Sequence, residues 1–95
     1  MYALFVEVNA DNSHTERARE FLNRVAVPGA REAGATSGYW LAPFDGRGVS
    51  MTVYETEDQA RAVAKRFQAG ERPSPDAPEG VTVRTVAVQE VIASL

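Results

Sequence analysis

This chain predicts an α+β fold with the element order β-α-β-β-α-β, and three features of its sequence carry that prediction. Short runs such as "YALFVEV" alternate at period two, as strands do. Two longer stretches, "TERAREFLNRV" and "TEDQARAVAKRF", instead space their apolar residues at i, i+3, i+4 and i+7, which lines up one side of a helix. Between them an Asp-Gly pair separates two strand-like runs, a strong hairpin signal because both central residues of a type I′ turn need positive φ.

The first strand places Tyr2, Leu4, Val6 and Val8 on one face and Ala3, Phe5, Glu7 and Asn9 on the other. In the first helix Ala18, Phe21, Leu22 and Val25 form the apolar stripe. Ser13 is its natural N-cap, and Glu16 completes a capping box. Pro28 and Gly29 are expected to stop or kink that helix, with a further short helical turn ending at Gly34. The hairpin follows, with strands around Ser37 to Ala42 and Val49 to Glu55. A second helix is capped by Thr56 with Gln59 closing the box, and its stripe is Ala60, Val63, Ala64 and Phe67. A polar, proline-rich loop then leads into "VTVRTVAVQEVIASL", which is β-rich but blurred in its alternation, the tail from Gln89 reading as an extra strand or an arm. Right-handed crossovers in this order place both helices on one face of a four-stranded antiparallel sheet, the ferredoxin-like split βαβ arrangement.

With 95 residues the chain is expected to form a single domain, residues 1–95, around one core. A hydrophobic content of 44% and a net charge of -3 belong to an ordinary globular protein. The basic residues are interleaved with Glu and Asp on helix surfaces, so no basic stripe is available for a nucleic-acid partner. No apolar run spans a bilayer, and "MYALFVEVNA" lacks the basic n-region of a signal peptide, so the expectation is a cytoplasmic protein with no membrane partner. There are no cysteines, which removes disulfides, thiolate nucleophiles and Cys-based zinc sites. A lone His14 at a helix start assembles neither a metal site nor a Ser-His-Asp set, so no metal is expected.

Two short helices cover one face of four strands. The second face is expected to carry Ala3, Phe5, Ser50, Thr52 and Tyr54, with either Tyr39 and Leu41 or Trp40 and Ala42 beside them. So apolar a face calls for a cover, and a second copy of the same sheet supplies one, giving a homodimer. Register in the hairpin decides which aromatic goes where. A two-residue Asp45-Gly46 loop puts Trp40 opposite Met51 on the helix side and Tyr39 with Thr52; a three-residue loop pairs Trp40 with Thr52, beside Tyr54. The second arrangement is preferred, because it gathers Tyr39, Leu41, Val49, Met51 and Val53 into one apolar face and puts Trp40 in the cavity.

On "FVEVNA", "VAVPGAREAGATSGYW" and "GVSMTVYETEDQARA" the chain resembles the dimeric α+β barrels, and among them the small antibiotic biosynthesis monooxygenase-type proteins. These words belong to the scaffold and not to a catalytic signature. The resemblance implies a homodimer with a cavity between sheet and helices, often without metal or organic cofactor. It also implies that active relatives oxidise polycyclic phenols or quinols with molecular oxygen, while others degrade haem. The histidine those haem-degrading relatives carry on the second helix has no counterpart in "TEDQARAVAKRF", which argues against that branch.

The ligand-binding candidates are Asn9, Trp40, Thr52, Tyr54 and Glu7. By the resemblance Asn9 orients a ligand oxygen, although an Asn before Asp11 and Asn12 is also what a turn asks for. Trp40 serves as cavity wall or core, and Tyr54 as a phenol hydrogen-bonding a bound aromatic or as an interface residue. Glu7, enclosed in an apolar cavity, would have a raised pKa and act as acid or base; pairing with Arg84 is the plainer role. Two functions follow: a cofactor-independent monooxygenase of small aromatic or quinol-like substrates, or a non-catalytic small-molecule-binding or structural dimer. A haem binder is a third, weaker one.

Overall fold

The computed structural model describes residues 1–10 and 15–95; the predicted Ser13 cap, the Asp11-Asn12 turn and His14 fall outside them. Strand β1 (Tyr2–Asn9) is central. The helical stretch 15–32 follows as α1 (Thr15–Phe21), a wide π-helical turn (Leu22–Ala26) and α2 (Val27–Glu32). Then come β2 (Ser37–Trp40), β3 (Arg47–Tyr54), α3 (Glu57–Ala64) and β4 (Thr82–Glu90). The four strands form one antiparallel sheet in the order β2-β3-β1-β4. This is the predicted ferredoxin-like arrangement.

Pro28 neither stops the first helix nor ends its pattern. Proline lacks the N–H of a regular turn, and its ring crowds the carbonyl four residues back. The chain answers with the wide turn: the Val27 N–H reaches Leu22 O, five residues back, and Pro28 sits in the first turn of α2. The stretch then ends in a Schellman motif, where Gly34 N–H bonds Arg31 O at 3.1 Å and Ala35 N–H bonds Ala30 O at 3.0 Å. That closure needs a left-handed residue, and Gly34 supplies it with φ +102°.

Helix α3 begins as its sequence asks. Thr56 Oγ1 accepts from the Gln59 N–H at 3.2 Å, and Gln59 Oε1 accepts from the Thr56 N–H at 3.2 Å. Ala60 and Val63 are buried against Leu4, Val6 and Tyr54, with Phe67, Val86 and Val88 packed around them. This is the dry core.

The blurred alternation of β4 has a cause in its pairing. Glu7 stands opposite Thr85 but Val8 opposite Val83, so Arg84 is an extra residue. Val83 and the Val86–Val88 pair therefore reach the helix side from opposite phases of the sequence. The strand runs to Glu90, and the Val91 N–H still bonds Met1 O at 2.9 Å; beyond it Ile92 is exposed.

Candidate functional site

The pairing of β1 with β3 fixes which side chains share a face. Leu4 stands opposite Thr52, Tyr2 opposite Tyr54 and Val6 opposite Ser50, while Ala3 faces Val53 and Phe5 faces Met51. Directly opposed residues of an antiparallel pair lie on the same side of the sheet. Ser50, Thr52 and Tyr54 therefore point to the helices, which corrects their expected place with Ala3 and Phe5. The open face carries Val53 and Met51 instead.

The hairpin combines features of both expected registers. Its tip is the two-residue turn: Asp45 and Gly46 have φ 54° and 74°, and Phe44 and Arg47 exchange backbone bonds of 2.8 and 3.1 Å. Yet Trp40 pairs with Ser50 and Tyr39 with Met51. Leu41, Ala42 and Pro43 stand opposite only Gly48 and Val49, and this one-residue excess shifts the phase between turn and strand. Pro43 has no N–H to give to a ladder, so the irregularity lies where the pairing is least costly to interrupt. Trp40 thus shares its face with Thr52 and Tyr54, as the preferred grouping had it, and Tyr39 joins Met51. The sides of the sheet are the reverse of those expected.

Between the sheet and the stretch 15–32 lies a cavity of about 470 Å³. Phe21 and Leu22 form part of its roof, Val6, Ser50 and Trp40 part of its floor, and Phe67 part of a side wall. The proline-rich loop 69–81 closes another side through Pro73, Pro75 and Ala77. Arg72 donates a hydrogen bond to Ala77 O and holds that loop in shape. Trp40 is seated by Gly38: a Cβ there would lie 3.3 Å from the indole Cζ3 and Cη2 and 2.9 Å from Thr52 Cγ2. The absent side chain is the space the indole uses.

The polar content of the cavity is small and specific. Tyr54 is fully buried, Thr52 nearly so, and Thr52 Oγ1 and Tyr54 Oη share one hydrogen bond of 3.2 Å. Each hydroxyl has one proton to donate, so a single bond between two of them leaves one donor unspent. Of the two only Thr52 keeps any exposed surface, 5%, so an oxygen acceptor on a bound molecule can take that donor at Thr52 while Tyr54 backs it from behind. Arg66, just past the end of α3, is the one charged side chain among the described residues that line the cavity.

The five sequence candidates do not converge. Trp40, Thr52 and Tyr54 line the cavity, and Asn9 and Glu7 do not. Asn9 is exposed at the end of β1, its Nδ2 donating to Thr82 Oγ1 at 3.2 Å, which ties two strand ends together. Glu7 lies on the open face, 3.5 Å from Arg84 Nε and 3.7 Å from Arg47, and accepts from Thr85 Oγ1 at 3.1 Å. Its plainer role, pairing with Arg84, is the one the geometry shows. Sequence reasoning assigned Phe21 and Phe67 to helix stripes and Arg66 to a solvated helix surface; only the position of Arg66 between Val63 and Phe67 marked it as near the inner face. Among the described residues no cluster of His, Cys, Asp and Glu could hold a metal ion, and no helix is long and apolar enough to cross a membrane. Comparison with protein-family models and with curated proteins finds no match for this chain.

Proposed function

We propose that this protein binds a small, mainly apolar aromatic molecule that carries an oxygen acceptor, in the cavity between its sheet and the helical stretch 15–32. The observation that carries this reading is the hydroxyl pair of Thr52 and Tyr54, with one donor to spare, inside a cavity of about 470 Å³ walled by Phe21, Trp40 and Phe67. That volume is within the range of small-molecule pockets, roughly 300–1,000 Å³, and a few polar groups in an apolar lining are what orient a ligand. The protein works as a homodimer through the open sheet face. There Tyr39 is 67% and Met51 44% exposed, beside Phe5 and Val53, an apolar surface that a second copy would cover.

Oxidation of a quinol or anthrone by molecular oxygen, without a cofactor, is the second reading. The hydroxyl of Thr52, backed by the Tyr54 phenol, favours it, because a largely buried donor stabilises negative charge on a substrate oxygen. Binding without conversion ranks first, since no carboxylate lines the cavity among the described residues to take the substrate's proton. Trp40 is the only tryptophan, so its fluorescence reads the cavity directly. Titration with hydroxylated naphthalenes and anthrones is expected to quench it saturably, and Tyr54→Phe to weaken binding about fivefold or more. No saturable quenching in any of them sinks the binding reading. Oxygen uptake with the same panel separates turnover from binding, and light scattering checks the dimer: a particle of 10.3 kDa at every concentration would remove it.

A further inference from the structure

We infer that the molecule this cavity selects is an acid, its apolar body inside and its carboxylate at Arg66; the inference rests on the binding reading and names the class of ligand. Arg66 is the one charged residue among the described lining residues, and it flanks Phe67, which also lines the cavity. Arg17, Arg31 and Lys65 are also without an ion pair to any described residue but do not line the cavity, and five other arginines are engaged. Arg61 pairs with Glu57 at 2.7 Å, Arg24 with Glu20 at 3.3 Å, Arg19 with Glu16 at 3.4 Å, and Arg47 and Arg84 both face Glu7. Arg66 makes no ion pair and no side-chain hydrogen bond with any described residue. Its backbone N–H bonds Val63 O at 3.0 Å, which anchors the residue in the last turn beside the cavity while its guanidinium stays uncommitted.

A guanidinium offers a planar fork of donors matched to a carboxylate, and at the rim of an apolar cavity it gives such a ligand an oriented polar end. The whole chain works against this choice: at a net charge of -3 it repels anions weakly. Any preference for an acid is therefore local to that rim. The hydroxyl donor of the Thr52–Tyr54 pair then serves a second oxygen on the body of the molecule, so the ligand class is an aromatic acid with a further oxygen substituent.

The test compares two probes of one shape, 2-naphthoate and the neutral 2-naphthalenemethanol, by isothermal titration calorimetry near neutral pH. The wild type is expected to bind the acid at least about fivefold more tightly than the alcohol, the discount for an exposed ion pair included. Arg66→Gln is expected to erase that difference and leave the alcohol's affinity within about twofold, and Arg66→Lys to retain part of it. Ala18→Leu, which fills the cavity from its roof, is expected to remove both probes and so locates them inside. Equal affinities in the wild type, or a preference that survives Arg66→Gln, overturns the inference and leaves the cavity reading standing. Binding of neither probe to the wild type overturns both.

Discussion

The two helical layers begin from the same sequence device and end in different physical states. Ala18, Phe21, Leu22 and Val25 repeat the spacing of Ala60, Val63, Ala64 and Phe67. Helix α3 seals the first part of its stripe onto the sheet and buries Ala60 and Val63, while Phe67, past its end, forms part of a cavity wall. None of the residues in the stretch 15–32 is fully buried, and the same kind of stripe roofs a cavity. What lies beneath differs. Below α3 are Leu4 and Tyr54, whose bulk fills the layer. The cavity floor includes Gly48 and Ser50, which leave space that Trp40 only partly occupies. An amphipathic pattern states which side of a helix turns inward; the size of the residues opposite decides whether that side meets protein or an empty volume.

Paired substitutions can break this contrast, and the largest difference is expected from truncation. Leu4→Ala removes a side chain that is 2% exposed from the dry core and is expected to cost about 2–5 kcal/mol by urea denaturation. Leu22→Ala, half-buried over the cavity, is expected to cost less than about 1 kcal/mol because its neighbours already lack full contact. Similar losses at the two sites would mean that the cavity is closed in solution. Enlargement sharpens the point from the other direction. Ala60→Leu, at a position with no exposure, is expected to lose about 1–3 kcal/mol to overpacking, whereas Ala18→Leu should stay within about 0.5 kcal/mol of wild type or gain stability. The cap lies outside the contrast: Thr56→Ala takes away the acceptor of the Gln59 N–H and is expected to lower the melting midpoint by the equivalent of about 1 kcal/mol.

The sequence made the fold legible because its signals are local. Alternation in β1, the Thr56 box, the Asp45-Gly46 turn and the Gly34 terminus each depend on a few neighbouring residues, and each appears where its chemistry points. The cavity was legible only in part, since it depends on pairings that single residues shift. One extra residue among Leu41–Pro43 brings Trp40 opposite Ser50, and Arg84, extra in β4, moves Val83 into phase with Val86. Both are countable in the structure and invisible to a periodicity argument. The choice of side for Thr52 and Tyr54 failed for a related reason. Small polar residues alternate with Val49, Met51 and Val53 in β3, so the strand's own pattern names the wrong face as inward. Only the register with β1 decides it. Arg66 was legible as a charge near the inner face of its helix but not as a cavity-lining residue, because the loop beside it takes its place through tertiary contacts.

The wide turn at Leu22–Ala26 carries a consequence for how this roof could change. A helix with such a turn holds one more residue than a regular helix of the same course, much as a spare link lets a chain lie slack. Deleting one residue there would restore an ordinary spiral while the segments on either side kept their facing, because the wide turn absorbs the extra residue. Tightening the turn with every residue kept would instead rotate everything before it by about 100° about the axis and swing Phe21 off the chamber. A one-step slip in backbone hydrogen bonding thus re-aims the ceiling while the sheet below keeps its register.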